Sequence, residues 1–237
     1  MKITARAATL AAALGLFCAP AHAALMTFFG EDLGQGEGVR LATHANADAA
    51  RAAFFANLVG VGTETFDGFA TNTMAPLAVN FGAAGTATLN GTGFVNTVPT
   101  GANAGRYPIS GDNFWESREV FGVTFSDPVA AFGFYGVDIG DFGGQVTLTL
   151  AGGGAQVVNI PHTVNGDGGG VLYFGLIETQ TFTSVTFGNT SGANDAFAFD
   201  NMTIGSLQQV AIPEPGTLTL LALALAGLGF GMRRKQI

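Results

Sequence analysis

Cysteine is almost missing from this chain of 237 residues: the one thiol, Cys18, lies in an apolar N-terminal stretch. That excludes an intrachain disulfide, a CxxC redox pair and a thiolate zinc site. Lysine is absent between residues 24 and 211, where Arg40, Arg51, Arg106 and Arg118 are the only cations against 16 Asp and Glu, a net charge near −12. Such a surface repels nucleic acid and anionic lipid, and favours divalent cations or neutral polymers as partners. Histidine is scarce too, with only His44 and His162 in that region, and no HExxH or GxSxG occurs. The spacings that zinc hydrolases and serine hydrolases need are therefore missing, and each histidine reads as a satisfied or solvent-exposed side chain. The string GEDLGQGEG offers Gly34, Gly36 and Gly38. It has no strand-turn-helix context and carries glutamates, which repel phosphate.

Abundant residues point the other way. The chain has 36 glycines and 21 phenylalanines with only 11% charged residues, and aromatic and branched side chains supply a buried β face rather than disorder. One segment, 46–58, is alanine-rich with apolar positions at helical spacing; Asn46 or Asp48 is available as its cap, and Gly60 and Gly62 end it. From residue 63 onward, short apolar alternations cut by glycine recur: LAVNF, TATLNG, EVFGVTFS, VAAFGFYGVDI, QVTLTL, VLYFGLI, TFTSVTFGN and AFAFDNMTIG among them. About ten such strands with turn residues between them predict a mainly β chain, an antiparallel β-sandwich of jelly-roll type with one short N-terminal helix. In 145–150 the alternation is clean. In 181–187, Phe182, Val185 and Phe187 share a face only if the strand bends at Ser184. In 197–204 neither face is cleanly apolar, so Asp200, on the face of Met202 and Ile204, needs a partner.

Both termini carry addressing features. Lys2 and Arg6 precede the apolar stretch 7–18, and Ala21 and Ala23 supply the small residues of a cleavage site after residue 23. This is the pattern of a signal peptide handled by the Sec translocon and signal peptidase. At the other end stand Pro213, Glu214, Pro215 and Gly216, then an apolar run to residue 232, then Arg233, Arg234 and Lys235. The prolines stop sheet and helix alike. The uncharged segment 216–232 reaches roughly 25 Å as a helix, a marginal membrane span, and the terminal cations hold its end on the cytoplasmic side. Four parts follow: a signal peptide at 1–23, an N-terminal segment with the helix at 24–62, the β-sandwich at 63–208 and a sorting tail at 209–237.

The tail resembles the sorting signal of PEP-CTERM proteins, a bacterial, largely Gram-negative group tied to exopolysaccharide production. The resemblance implies export, transient anchoring in the inner membrane, cleavage near the Pro-Glu-Pro by an exosortase, and delivery to the cell surface or extracellular matrix. The blocks TETFDGF, GRYPISGDNFWE, VAAFGFYGVDIGDFGGQVTLTL and AFDNMTIG resemble the ectodomain of a recurrent group of PEP-CTERM proteins of unassigned activity, which implies fold and location and supplies no catalytic residues.

Three kinds of site chemistry remain readable. Hard oxygen ligands suit calcium: Glu64 or Asp67 near the first β-segment could share an ion with Asp200 near the last, and Asp138 and Asp141 in YGVDIGDFGG form a second candidate, with turn capping as the plainer reading of each. Trp115, in GDNFWES, and nearby Tyr107 could stack on a sugar ring, with core packing as the alternative for the tryptophan; Arg106 and Arg118 flank Trp115 and could donate hydrogen bonds to sugar hydroxyls or pair with Asp112 and Glu119. Glycoside hydrolysis needs two acids about 5 to 10 Å apart, and Asp112 with Glu116, Glu116 with Glu119, and Asp138 with Asp141 are the available pairs. The expected function is a non-catalytic surface or matrix protein associated with exopolysaccharide; the alternative is a secreted polysaccharide-acting enzyme using a carboxylate pair.

Overall fold

A computed structural model of the chain describes residues 25–118, 120–141, 146–151, 156–164, 166–189 and 195–207. The signal-peptide positions Ala21 and Ala23 and the whole sorting tail, including Pro213, Glu214, Pro215, Gly216, Arg233, Arg234, Lys235 and the expected span 216–232, lie outside them. Among the described residues no helix is long and apolar enough to cross a membrane.

Among the described residues the chain is mainly β and antiparallel, with one α-helix, as the alternation predicts. In order the elements are β1 (Leu25–Asp32), α1 (Ala45–Phe55), β2 (Leu58–Glu64), β3 (Leu77–Asn80), a 3-10 turn (Gly82–Ala84), β4 (Thr86–Gly91), β5 (Phe94–Thr97), β6 (Asn113–Ser117), β7 (Phe121–Val137), β8 (Val146–Ala151), β9 (Gln156–Asn159), β10 (Val171–Asn189) and β11 (Phe197–Leu207). The segment expected to precede the sandwich contributes two strands to it: β1 pairs with β10 and β2 with β11.

Four of the expected strands fuse into two long ones. EVFGVTFS and VAAFGFYGVDI are halves of β7; VLYFGLI and TFTSVTFGN are halves of β10. Each long strand serves two layers. In one layer, 171–178 of β10 lies between β1 and 129–137 of β7, which in turn borders β11. In the other, 184–189 of β10 pairs with β8, and 121–125 of β7 pairs with β4. The crossing is marked by register shifts on either side of Phe182, close to the bend expected at Ser184. On β7 it falls at the exposed 126–128, where Pro128 has no ladder partner, a position that suits a residue without an amide proton.

The faces turned toward one another form an aromatic core. Phe187 of the second layer lies 5.0 Å from Phe134 and 5.1 Å from Phe199 of the first, and Phe121 stacks on Phe187 at 4.2 Å. Phe182, Val185 and Phe187 all join this core, as do Leu148 and Leu150. Each such side chain contributes about 1.5–3 kcal/mol when buried. In β11 a second irregularity settles the ambiguous pattern: Asn201 has φ of 49° and the pairing with β7 shifts between Asp200 and Thr203. The bulge lets Phe197 and Phe199 before it, and Met202 and Ile204 after it, reach the same core. Asp200 therefore does not share a face with Met202 and Ile204; it stays beside Ala198, which belongs to the opposite cluster.

That opposite cluster is covered by α1. Gly133 and Gly175 are register partners, and a Cβ on Gly175 would come within 2.6 Å of the Phe54 ring. The glycine seam is what lets the helix approach the sheet. Capping comes from a distance. Neither Asn46 nor Asp48 caps the helix; Asp32 at the end of β1 accepts from the amides of Asn46 (3.3 Å) and Ala47 (2.9 Å), satisfying two of the donors a helix start leaves open.

Candidate metal centre

The carboxylates singled out in the sequence separate into two environments. Asp200 is fully buried, and its Oδ2 accepts from the amides of Ile109 (2.8 Å) and Ser110 (3.0 Å), while Oδ1 accepts from that of Asn201 (2.6 Å). Burial pushes its pKa up to about 7, with Asp67 adding to the rise and the three amides opposing it. Asp67 in turn accepts from the amides of Asp112 and Asn113 (3.0 and 3.1 Å), and Glu64 from those of Phe66 and Asn80 (2.8 and 3.4 Å). These three acids fasten turns to strands through backbone amides. Among the described residues they form no three-ligand group.

Asp138 and Asp141 do. They meet Glu37, and one oxygen from each of the three lies within 4.8 Å of the others. Four loop segments build this site. The amide of Gly105 donates to the Glu37 carbonyl (2.7 Å), that of Gly36 to the Gly168 carbonyl (3.0 Å), and that of Asp138 to the Gly170 carbonyl (2.9 Å). Tyr107 clamps two of the loops: its hydroxyl donates to the Gly169 carbonyl (2.7 Å) and accepts from the Leu41 amide (3.1 Å). Asp138 follows β7 in a left-handed conformation, φ 69°, one that aspartate tolerates better than most residues.

Within the cluster, partners run short. Asp138 Oδ1 accepts from the Gly169 amide (2.8 Å), but its Oδ2 has only Arg106 Nη1 at 3.7 Å, too far for a hydrogen bond. Both oxygens of Asp141 are buried without a hydrogen-bond partner, as is Oδ2 of Asp195, whose Oδ1 takes the Ala196 amide (2.8 Å). Asp138 is 1% exposed and Asp141 5%, so solvent does not make up the deficit. Burial pushes Asp138 up to about 7, with Glu37 and Asp195 adding and the Gly169 amide and Arg106 opposing. Burial also raises Asp141, which faces Asp195, Asp138 and Glu37, and it raises Asp195. Ionised carboxylates accept and cannot donate, so facing one another they satisfy nothing.

Other candidates lie elsewhere. Trp115 is completely buried, stacked on Phe66 at 6.3 Å and against Phe121 at 6.2 Å. It sits in β6, paired on both sides by β5 and β11, so the indole is a core anchor and cannot stack on a sugar. Tyr107, 1% exposed, spends its hydroxyl on the loop clamp. Arg106 pairs with Glu116 (3.3 Å), which also takes Asn96 Nδ2 at 2.7 Å; this commits Glu116 to a buried ion pair, a partner the sequence reading did not offer for Arg106. Glu119 lies outside the described residues. His44 Nδ1 meets Asp48 at 2.9 Å, and His162 is buried with Nδ1 at 3.0 Å from the Thr163 carbonyl. A cavity of about 310 Å³ opens beside Arg40, His44 and Tyr107, remote in lining from the acid cluster.

Sequence reading missed Glu37 and Asp195. Glu37 stands between Gly36 and Gly38, and an acid between two glycines is the one local signal that marks it.

Comparison with known proteins gives one firm match. The model of the PEP-CTERM protein-sorting motif matches residues 211–235, so the chain carries that signal and with it the marks of export, transient membrane anchoring through the C-terminal region and exosortase processing. No curated protein matches the chain. Among solved structures, a carbohydrate-binding module in complex with β-1,4-galactotriose aligns with 47% of this chain and 81% of its own, at 16% identity and a TM-score of 0.23; a likeness that weak carries no argument.

Proposed function

We propose that the chain is an exported, non-catalytic surface or matrix protein: a signal peptidase removes residues 1–23, the tail parks the protein in the inner membrane, an exosortase cuts near Pro213–Pro215, and the sandwich is left among exopolysaccharide outside the cell. The sorting motif at 211–235 carries this reading. The domain's composition agrees with it, since a sandwich with a large buried core needs no disulfide, and an acidic, lysine-free surface suits a neutral or cation-bridged polymer. The enzyme alternative finds less support. Glu116 is tied up by Arg106 and Asn96, and the Asp138–Asp141 pair is walled in: a Cβ on Gly105 or Gly140 would collide with the Asp138 carboxylate or the Thr163 carbonyl.

Expression of the full chain in an exosortase-bearing host tests the route. The expected result is release of a tail-less form to the surface or medium, abolished when Pro213, Glu214 and Pro215 are all changed to Ala; full-length material that stays in the cytosol in both cases overturns it. Co-sedimentation of the released form with the host's exopolysaccharide tests the association.

A further inference from the structure

A carboxylate cluster alone means little, because exposed acidic groups are common without an ion. Here Asp138 and Asp141 are buried, Glu37 is exposed, and one buried member has neither oxygen satisfied. Asp141 is 5% exposed with both carboxylate oxygens lacking a hydrogen-bond partner, and it faces Glu37, Asp138 and Asp195. One further oxygen on Asp138 and one on Asp195 are orphaned in the same way. Among the described residues, the one cation that pairs with this cluster is Arg106, which is also spent on Glu116. Buried charge of one sign at this density is sustained only by protonation or by a positive ion.

We propose that Glu37, Asp138 and Asp141, with Asp195 beside them, bind one calcium ion that staples together the loop after β1, the turn after β7 and the approach to β11. The dimensions fit. Calcium takes oxygen ligands at about 2.3–2.6 Å in flexible geometry, so oxygens on one shell are separated by no more than about 5 Å, and the three ligand atoms lie within 4.8 Å of one another. The donor set also selects the ion. No sulfur or imidazole is among the three, which disfavours zinc and copper, and magnesium demands a tighter octahedral shell and parts reluctantly with its waters. Glu37 is the one exposed member, so it gives an entering ion its first contact and closes the site from the outer side. The inference stands apart from the sorting reading, which concerns only the tail.

The test uses the full chain, purified in detergent, with melting followed by circular dichroism in EGTA and in 2 mM calcium chloride. Calcium at about 100 times its dissociation constant should raise Tm by several degrees. Asp141→Asn keeps the side chain's shape, and it should fold, melt near the EGTA value of the wild type and lose the calcium response at least tenfold. Glu37→Gln should weaken the response without changing the EGTA melting temperature. An identical Tm in EGTA and calcium overturns the proposal in favour of a proton-sharing acid cluster. So does a shift that persists in Asp141→Asn, or an equal shift with magnesium at the same concentration. If Asp141→Asn fails to fold, the Glu37→Gln response decides alone: an undiminished shift refutes the assignment.

Discussion

Asp200 and Asp141 are both aspartates with little solvent exposure in one domain, yet their surroundings are opposite. Three backbone amides aim at Asp200; three carboxylates aim at Asp141. The first arrangement gives a carboxyl group backbone donors already present in the fold and makes it a fastener, pinning residues 109 and 110 over the bulge at Asn201. The second leaves the anion in deficit and gives the fold a reason to recruit a cation. Burial alone therefore does not mark a metal ligand; the type of partner does.

Breaking the satisfied site should cost most. Asp200→Ala leaves the half-buried Ile109 and Ser110 amides without their acceptor, and donors stripped of a partner away from solvent cost about 1–3 kcal/mol each. At roughly 2–4 °C per kcal/mol for a domain of this size, thermal unfolding should show a loss of about 5–20 °C, equal in EGTA and in calcium. A loss that calcium reverses would erase the distinction between the two sites.

A smaller effect separates them by pH. The folded pKa of Asp200 is raised to about 7, above the ordinary unfolded value of about 3.9, because burial outweighs its three amides; Asp67 and Tyr135 face it as further negative or proton-bearing groups. A raised folded pKa means that the folded state holds its proton longer, so this stability is fully present below about pH 4 and is lost as pH climbs through 7. The limiting slope is about 1.4 kcal/mol per pH unit. In saturating calcium, melting temperature should fall from pH 5 to pH 7, and Asp200→Asn should flatten the fall. A wild type that gains stability over that range would show that the amides hold the carboxylate ionised.

The exposed pair His44–Asp48 supplies the lower end of the scale. Its members are 19% and 54% exposed at i and i+4, where ion pairs contribute about 0.3–0.5 kcal/mol. His44→Ala should move Tm by about 1–2 °C at most. A larger drop would assign the imidazole a packing role through its edge contact with Tyr135 at 5.6 Å.

How much of this was legible in the sequence depended on range. Period-two alternation marks Leu148 and Leu150, and the broken alternation around Ser184 marks the layer crossing, because strand faces are set by neighbouring residues. The bulge at Asn201 was not legible: it appears only as a pattern that fits neither face until a positive φ is allowed. LMTFFGED is not legible as a strand because it stands alone before the helix, and its partner in β10 lies about 145 residues onward. Trp115 read as a loop aromatic because its neighbours Asp112, Asn113 and Glu116 are polar, whereas β6 is flanked on both sides and Glu116 is neutralised by Arg106. Asp138 and Asp141 were visible as acids among glycines, but Glu37, 101 positions earlier, and Asp195, 54 positions after Asp141, reach them only through the folded loops.

Calcium stoichiometry on the intact protein tests the central claim most directly. After dialysis against trace calcium and gel filtration, metal analysis should find one calcium per wild-type chain and per Asp200→Asn chain, and none per Asp141→Asn chain. Equal calcium in all three, or none in the wild type, would contradict it.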